Sequence, residues 1–379
     1  LVRNSSMPFA NPLGMNYDSG EYHYCLERAL SLSEYASFND RKEQSQAKGL
    51  HRGLGICCYI ESSSGAPQER AEISFTKNNE IEVIIGTQDS GQGHETSFCQ
   101  VAAEWLGVSF EKVKLLHGDT SFVSVGGGSH SGRSMRMAGT VIVMAAEKLI
   151  EKGKKIASYI LETALTDIEF NNGIFRVVGT DRRIDWFELA KNIRETTNLP
   201  NELSDGLKEN AENYMREPAF PYGTHICEVE IDPETGAISL DRYTAVDDVG
   251  RVINPTIVAG QIQGGVVQGA SEALFEDFIF DPENGQPLAA TLMDYAIPLA
   301  SDMPFFKTEC HEVLTLKNPL GIRSAGEAGT TPALGTILNG IVDALKSYGI
   351  KDIEMPASPH NIWKAIHSHY KINKHQTGN

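Results

Sequence analysis

Three times along this chain a strand-like segment leads into a glycine-rich loop that opens a helix. The loops are Gln88–Thr96, Gly126–Ser134 and Gly326–Pro332. Each offers backbone N–H groups at a helix start, where the helix dipole favours negative charge. Taken singly, each is satisfied by a tight strand-to-helix turn. None is a GxxxxGK[ST] phosphate loop or a GxGxxG dinucleotide fingerprint, so a nicotinamide dehydrogenase of Rossmann type is excluded. Three such loops, with Gln92 and Arg133 as side-chain donors, suit a large ligand that carries phosphates and many hydrogen-bonding edges.

The elements around these loops follow from periodicity. Residues 1–50 are polar apart from a helix through Ala29, Leu30, Leu32 and Tyr35, with Asp18-Ser-Gly-Glu21 as its cap. Strands are expected at Leu54–Ile60, Ala71–Phe75, Ile81–Ile85 and Val113–Leu116, with a turn at Asn78-Asn79. Phe98, Val101, Ala102, Trp105 and Leu106 lie at helical spacing before Gly107, and Met135–Leu149 is an apolar helix with a Lys-rich end. Arg194–Met215 reads as an exposed polar excursion. Beyond it the same grammar returns. Strands Ile226–Ile231 and Ile238–Val246 flank a Pro233…Gly236 turn, and helices open at Asn254-Pro255 and Thr331-Pro332. The expectation is an α+β fold of two similar subdomains, residues 1–195 and 216–379, with mixed sheets flanked by long helices and joined by a polar connecting excursion at 196–215.

Composition narrows the function. With 33 Lys plus Arg against 50 Asp plus Glu, the formal charge is −17 over 379 residues. That argues against nucleic acid or an anionic membrane as main partner. No apolar run of about 18 residues occurs, so no membrane span is expected. The N-terminus has no apolar signal core and no initiator Met, so the chain reads as a piece of something longer. The six cysteines show no zinc or iron–sulfur spacing and read as reduced thiols in a cytoplasm. His94 and His130 have no second histidine at ligand spacing and read as polar turn residues, so no protein metal site is expected. Glu327 can serve as a helix N-terminal carboxylate or approach a ligand between Gly326 and Gly329. Asp247-Asp248 reads as a strand-end turn.

Taken in order, the motifs are specific. Gly86-Thr-Gln-Asp-Ser-Gly-Gln-Gly-His-Glu-Thr96, His117-Gly-Asp-Thr120, Ser131-Gly-Arg-Ser134, Asp247-Asp-Val-Gly-Arg-Val-Ile-Asn-Pro255, Gly260-Gln-Ile-Gln-Gly-Gly-Val-Val-Gln-Gly269 and Gly326-Glu-Ala-Gly329 stand in family order. With them the chain resembles the xanthine dehydrogenase and aerobic carbon monoxide dehydrogenase family of molybdenum hydroxylases. The match is to the C-terminal half of the molybdenum-binding catalytic subunit.

The resemblance implies roles. Ser90, Gly91, Gln92 and Gly93 fall in a loop that contacts the pterin. Ser131, Gly132, Arg133 and Ser134 fall in a loop that wraps its phosphate, and Gln261 reaches the pterin. Glu327 matches the active-site glutamate. The implied cofactor is molybdopterin, in its cytosine dinucleotide form, carrying molybdenum with no protein ligand. The chemistry inserts a water-derived oxygen into a C–H bond of an aldehyde or N-heterocycle, or oxidises carbon monoxide, with Glu327 accepting a proton. Implied partners are the N-terminal half of the molybdenum subunit, an iron–sulfur subunit and a flavin subunit bearing FAD, in an oligomer. Family subunits run to about twice this length, so the chain is expected to be incomplete alone. A non-catalytic member serving as an assembly or cofactor-carrying partner is the alternative; retention of Glu327 and Gln92 favours catalysis.

Overall fold

The computed structural model describes residues 1–195, 200, 203 and 205–376, with side chains described through residue 368. A two-strand hairpin, β1 (Phe9–Ala10) and β2 (Asn16–Tyr17), precedes helices α1 (Tyr22–Leu32) and α2 (Phe38–Ala47). Then come β3 (His51–Ile60), β4 (Gln68–Phe75), β5 (Ile81–Ile85), α3 (His94–Leu106), β6 (Val113–Leu116) and α4 (Ser134–Ile160). A small three-stranded sheet, β7 (Ile168–Asn171), β8 (Ile174–Val177) and β9 (Arg183–Asp185), leads into α5 (Trp186–Glu195). The remainder is β10 (Lys208–Tyr214), β11 (Tyr222–Ile231), β12 (Ile238–Asp248), α6 (Pro255–Leu274), β13 (Phe306–Cys310), α7 (Thr330–Ala344) and α8 (Pro359–Gln376).

Two four-stranded sheets carry the architecture, in the orders β10-β4-β5-β6 and β3-β11-β12-β13. Each has two antiparallel pairings followed by one parallel pairing. In each, a hairpin is followed by a helix, since strands that run parallel need a crossover. The α+β class with mixed sheets and long helices is as expected.

The division of the chain is not as expected. One compact unit comprises residues 1–62, 220–313 and 325–379; the other comprises 63–219 and 314–324. The cause is an exchange of edge strands. β3 precedes the β4–β5 hairpin in sequence yet pairs over its whole length with β11, from His51↔Ile231 to Ile60↔Tyr222. β10 precedes the β11–β12 hairpin yet pairs with β4, from Lys208↔Ser74 to Tyr214↔Gln68. Residues 208–214, expected within the exposed excursion, are therefore an edge strand. Residues 196–199, 201, 202 and 204 of that excursion lie outside the described residues.

The units differ in cover. Nine of the ten residues of β11 are buried, because α6 and α7 pack on one face of its sheet and α1 and α2 on the other. In the other unit β5 alternates, with Ile81, Val83 and Ile85 buried. This is the pattern of a strand covered on one face.

Close approach decides where glycine is needed in the first of these units. A Cβ on Gly55 of β3 would lie 1.8 Å from the Thr336 carbonyl oxygen of α7. Strand and helix thus meet backbone to backbone. α6 begins as its sequence specifies: Pro255 is in the first turn and the Asn254 side chain accepts a hydrogen bond from the Ile257 N–H at 3.1 Å. α1 forms without the expected side-chain cap. α4 continues beyond Leu149 to Ile160, so Lys152 lies inside the helix, nearly buried and bonded to Asp205 at 2.6 Å.

Candidate functional site

In the β4 unit the first two glycine loops come together. A Cβ on Gly86 would lie 2.2 Å from the Gly126 Cα. Ser129 Oγ lies 3.2 Å from His94 Nδ1 and 3.0 Å from Ser134 Oγ, which ties the start of α3 to the start of α4. His94 is buried and stacked on Phe98, and burial pushes its pKa down.

The loop before α3 is not the row of bare N–H groups that the sequence suggested. Asp89 Oδ1 accepts from the N–H groups of Gly91 and Gln92, both at 2.9 Å, and its Oδ2 accepts from Glu95 at 3.3 Å. The Gln92 side-chain oxygen accepts from the Ser90 N–H at 2.7 Å. Burial opposes the charge on Asp89, yet the N–H groups of Gly91, Glu95 and Gln92, with His94 nearby, hold its carboxyl below the usual range. Gly91 and Gly93 have φ of +108° and +74°, a region that L side chains enter only with strain. Asp89 was missed as the organiser of the loop, although an Asp two residues before a glycine is a turn signal.

Arg133 corrects a second expectation. Its guanidinium is fully buried, and all five N–H groups are spent on protein acceptors. Nε donates to Ala66 O at 2.9 Å, Nη1 to Thr87 Oγ1 at 3.0 Å and to Gly128 O, and Nη2 to Gln68 O at 3.0 Å and Glu69 Oε2 at 2.8 Å. It ties the loop to β4 and has no donor left for a phosphate. Ser131 (φ +50°) and Gly132 (φ +66°) turn the chain just before it, and a Cβ on Gly132 would lie 2.6 Å from Ser324 Oγ. Gly91 and Gly128 have open space where a Cβ would stand.

Glu327 and Gln261 belong to the other unit. Gln261 is half-buried on α6, and Glu327 is exposed in the loop before α7. That loop is clamped to α6: a Cβ on Gly329 would lie 2.1 Å from Ile262 O, and Thr330 Oγ1 donates to Gly265 O at 3.0 Å. Glu327 O accepts from the Thr331 N–H at 3.0 Å. The open positions here are Gly260, Gly264 and Gly326, which leave bare backbone around Gln261 and Glu327.

Sequence reasoning also missed Glu61. It follows β3, its N–H donating to Pro221 O at 2.9 Å. Both carboxylate oxygens are shut off from solvent, and neither meets a donor among the described residues. Burial, and then the neighbouring Glu327 carboxylate, push its pKa up to about 8. Nothing local in Tyr59-Ile-Glu-Ser62 marks this residue.

Asp247 and Asp248 divide two tasks. Asp248 Oδ1 accepts from the Gly250 N–H at 2.8 Å, which is the expected turn. Asp247 instead accepts from Tyr59 O–H at 2.7 Å and lies 3.0 Å from His225 Nε2, wholly buried. Among the described residues no three His, Cys, Asp or Glu side chains gather as a metal cage.

Each mixed-sheet unit, taken by itself, offers open glycine backbone beside polar side chains. The chain belongs to the molybdopterin cofactor-binding domain family, whose pattern matches residues 28–304. It is 31% identical to the carbon monoxide dehydrogenase large chain of Hydrogenophaga pseudoflava, over 97% of this chain and 47% of that one. It is 30% identical to the nicotine 6-hydroxylase large subunit of Paenarthrobacter nicotinovorans, over 94% of this chain and 46% of the relative. Among solved structures, carbon monoxide dehydrogenase from Oligotropha carboxidovorans superposes with a TM-score of 0.90 at 27% identity, covering 98% of this chain and 48% of that one. Quinoline 2-oxidoreductase from Pseudomonas putida 86 gives 0.89 at 29% identity, covering 97% and 48%. The chain spans about half the length of the curated relatives it matches. The kinship with carbon monoxide and xanthine dehydrogenases read from the motifs is thereby established. No described helix is long and apolar enough to cross a membrane.

Proposed function

We propose that this chain is part of the catalytic subunit of a molybdenum hydroxylase, holding the pterin cofactor and supplying the base, Glu327. The observation that carries the reading is an exposed carboxylate on a loop locked to α6 by glycine contacts and surrounded by bare backbone. The residues present fit such a cofactor. Within the β4 unit Gly91 and Gly128, and within the β11 unit Gly260, Gly264 and Gly326, leave open space against backbone where a flat ligand would find room. Ser90, Gly91, Gln92 and Gly93 would hold the pterin with Gln261, while Ser131, Gly132 and Ser134 would face its phosphate. Arg133 keeps that second loop in shape from within.

When bound, the cofactor supplies the two-electron oxidation of a C–H bond or of carbon monoxide. The protein's part is positional and protonic. A Glu327 carboxylate oxygen accepts a proton from the water that provides the oxygen, and the rigid loop fixes where that oxygen sits. The substrate class is a small aldehyde, an N-heterocycle or carbon monoxide. The cytosine dinucleotide form of the cofactor, a complementary half-subunit, and iron–sulfur and flavin subunits complete the proposal. Exposed apolar side chains in the β11 unit support a covering partner: Leu292 is 76% exposed, Met293 93% and Phe305 101%. The six cysteines are all free thiols, which supports a cytoplasmic setting.

Glu327→Gln tests the central role. It keeps the side chain's shape but cannot take up a proton. Fold and molybdenum content of the assembled enzyme are expected to persist while turnover falls by about 10²-fold or more. Near-normal turnover with full cofactor would reject the role and favour a non-catalytic carrier.

A further inference from the structure

The packing of β3 on α7 sets up a carboxylate pair that the sequence does not announce. Side chains alternate along a strand, so residues 55, 57, 59 and 61 share a face. That face looks onto α7, and the contacts step along both elements in register. Gly53 meets Gly340 and Ala344, Gly55 meets Thr336 and Gly340, and Cys57 Sγ lies 3.6 Å from where a Gly335 Cβ would stand. Each step forward on the strand moves toward the start of the helix. Continued past Ile60, this register delivers Glu61 to the loop that carries Glu327.

We propose that Glu61 is a positioning residue for Glu327: the two carboxyl groups share one proton, held on Glu61, whose O–H donates to Glu327. The inference rests on the catalytic reading of Glu327 only for its consequence, not for the pair itself. A carboxylate shut off from solvent that faces a second carboxylate ionises only at high cost, so the buried one keeps the proton. Glu61 is the more buried, and Glu327 is exposed. The charge acting on Glu61 from the α7 side is Glu327 itself. On its own strand the titratable neighbour is the Tyr59 phenol, which is already committed to Asp247. Held this way, Glu327 has one oxygen fixed by a hydrogen bond, and its other oxygen is aimed.

Carboxyl-carbon NMR of the full chain across pH tests the pair without cofactor or turnover. One carboxyl is expected to titrate near 8, to vanish in Glu61→Gln and to move toward the ordinary range in Glu327→Gln. Unfolding supplies a second readout. A carboxyl whose folded pKa is raised makes the folded state bind the extra proton, so stability falls as pH rises from about 4.5 to about 8. Glu61→Gln is expected to remove that slope. In the assembled enzyme Glu61→Leu is expected to displace the pH profile of kcat with KM unchanged, whereas Glu61→Gln, whose amide N–H still donates, restores the profile. No carboxyl titrating above the ordinary range, a high titration that ignores Glu327→Gln, or a Glu61→Leu profile that superposes on wild type would overturn the pair. An active Glu327→Gln enzyme beside a high Glu61 titration would instead overturn the catalytic role and leave the pair standing.

Discussion

Arg133 in the β4 unit and Glu61 in the β11 unit are both buried ionisable groups beside a glycine loop, and their surroundings are opposite. Arg133 meets five acceptors, one of them the buried carboxylate of Glu69. Among the described residues Glu61 meets no donor, and it faces a like charge. A buried ion that is fully bonded is scaffold: it fixes a loop and has nothing left to offer a ligand. A buried carboxylate that faces another carboxylate and meets no described donor has unused capacity, and unused capacity of that kind gathers where chemistry is done. The difference separates a loop held by a fully bonded ion from the loop proposed to act.

The largest expected effect strikes the scaffold side. Arg133→Met leaves Glu69, 1% exposed, without its cation, and should cost about 3–5 kcal/mol. Denaturant unfolding measures the loss, and hydrogen exchange should show it concentrated in β4 and α4. A cost within about 1 kcal/mol would erase the contrast with Glu61.

Next comes a glycine pair within the loop that carries Glu327. In Gly329→Ala the new Cβ meets Ile262 O at 2.1 Å, so the loop must shift, at about 1–3 kcal/mol. Gly326→Ala, which meets nothing within 4 Å, should stay within about 0.5 kcal/mol. Thermal unfolding of the two variants side by side decides whether one glycine clamps the loop while the other leaves room.

Asp89→Ala is the mildest. It frees three N–H groups of a partly exposed loop, for about 0.5–1 kcal/mol near neutral pH. Since the folded pKa of Asp89 is depressed, its contribution is present above the ordinary carboxylate pKa and is lost as pH falls through the folded value. Wild type and variant should therefore converge in acid. A constant gap across pH would mean that the carboxylate charge is not what orders the loop.

The sequence by itself determined the parts. Short apolar segments, one of them alternating, marked β3, β4, β5, β6, β11 and β12, and the glycines with Asn254-Pro255 and Thr331-Pro332 marked where helices open, because strand and helix patterns and caps are local properties of a few consecutive residues. The ordered motifs carried the family. Only the tertiary structure decided which hairpin each edge strand joins, since the ten pairs of β3 with β11 join residues 162 to 180 positions apart. It also decided that Arg133 is spent, because four of its five acceptors lie 46 to 67 residues away. And it alone brought Glu61 to Glu327. No local pattern encodes that encounter; it follows from the register of a strand against a helix, which is fixed by glycine contacts between elements far apart in sequence.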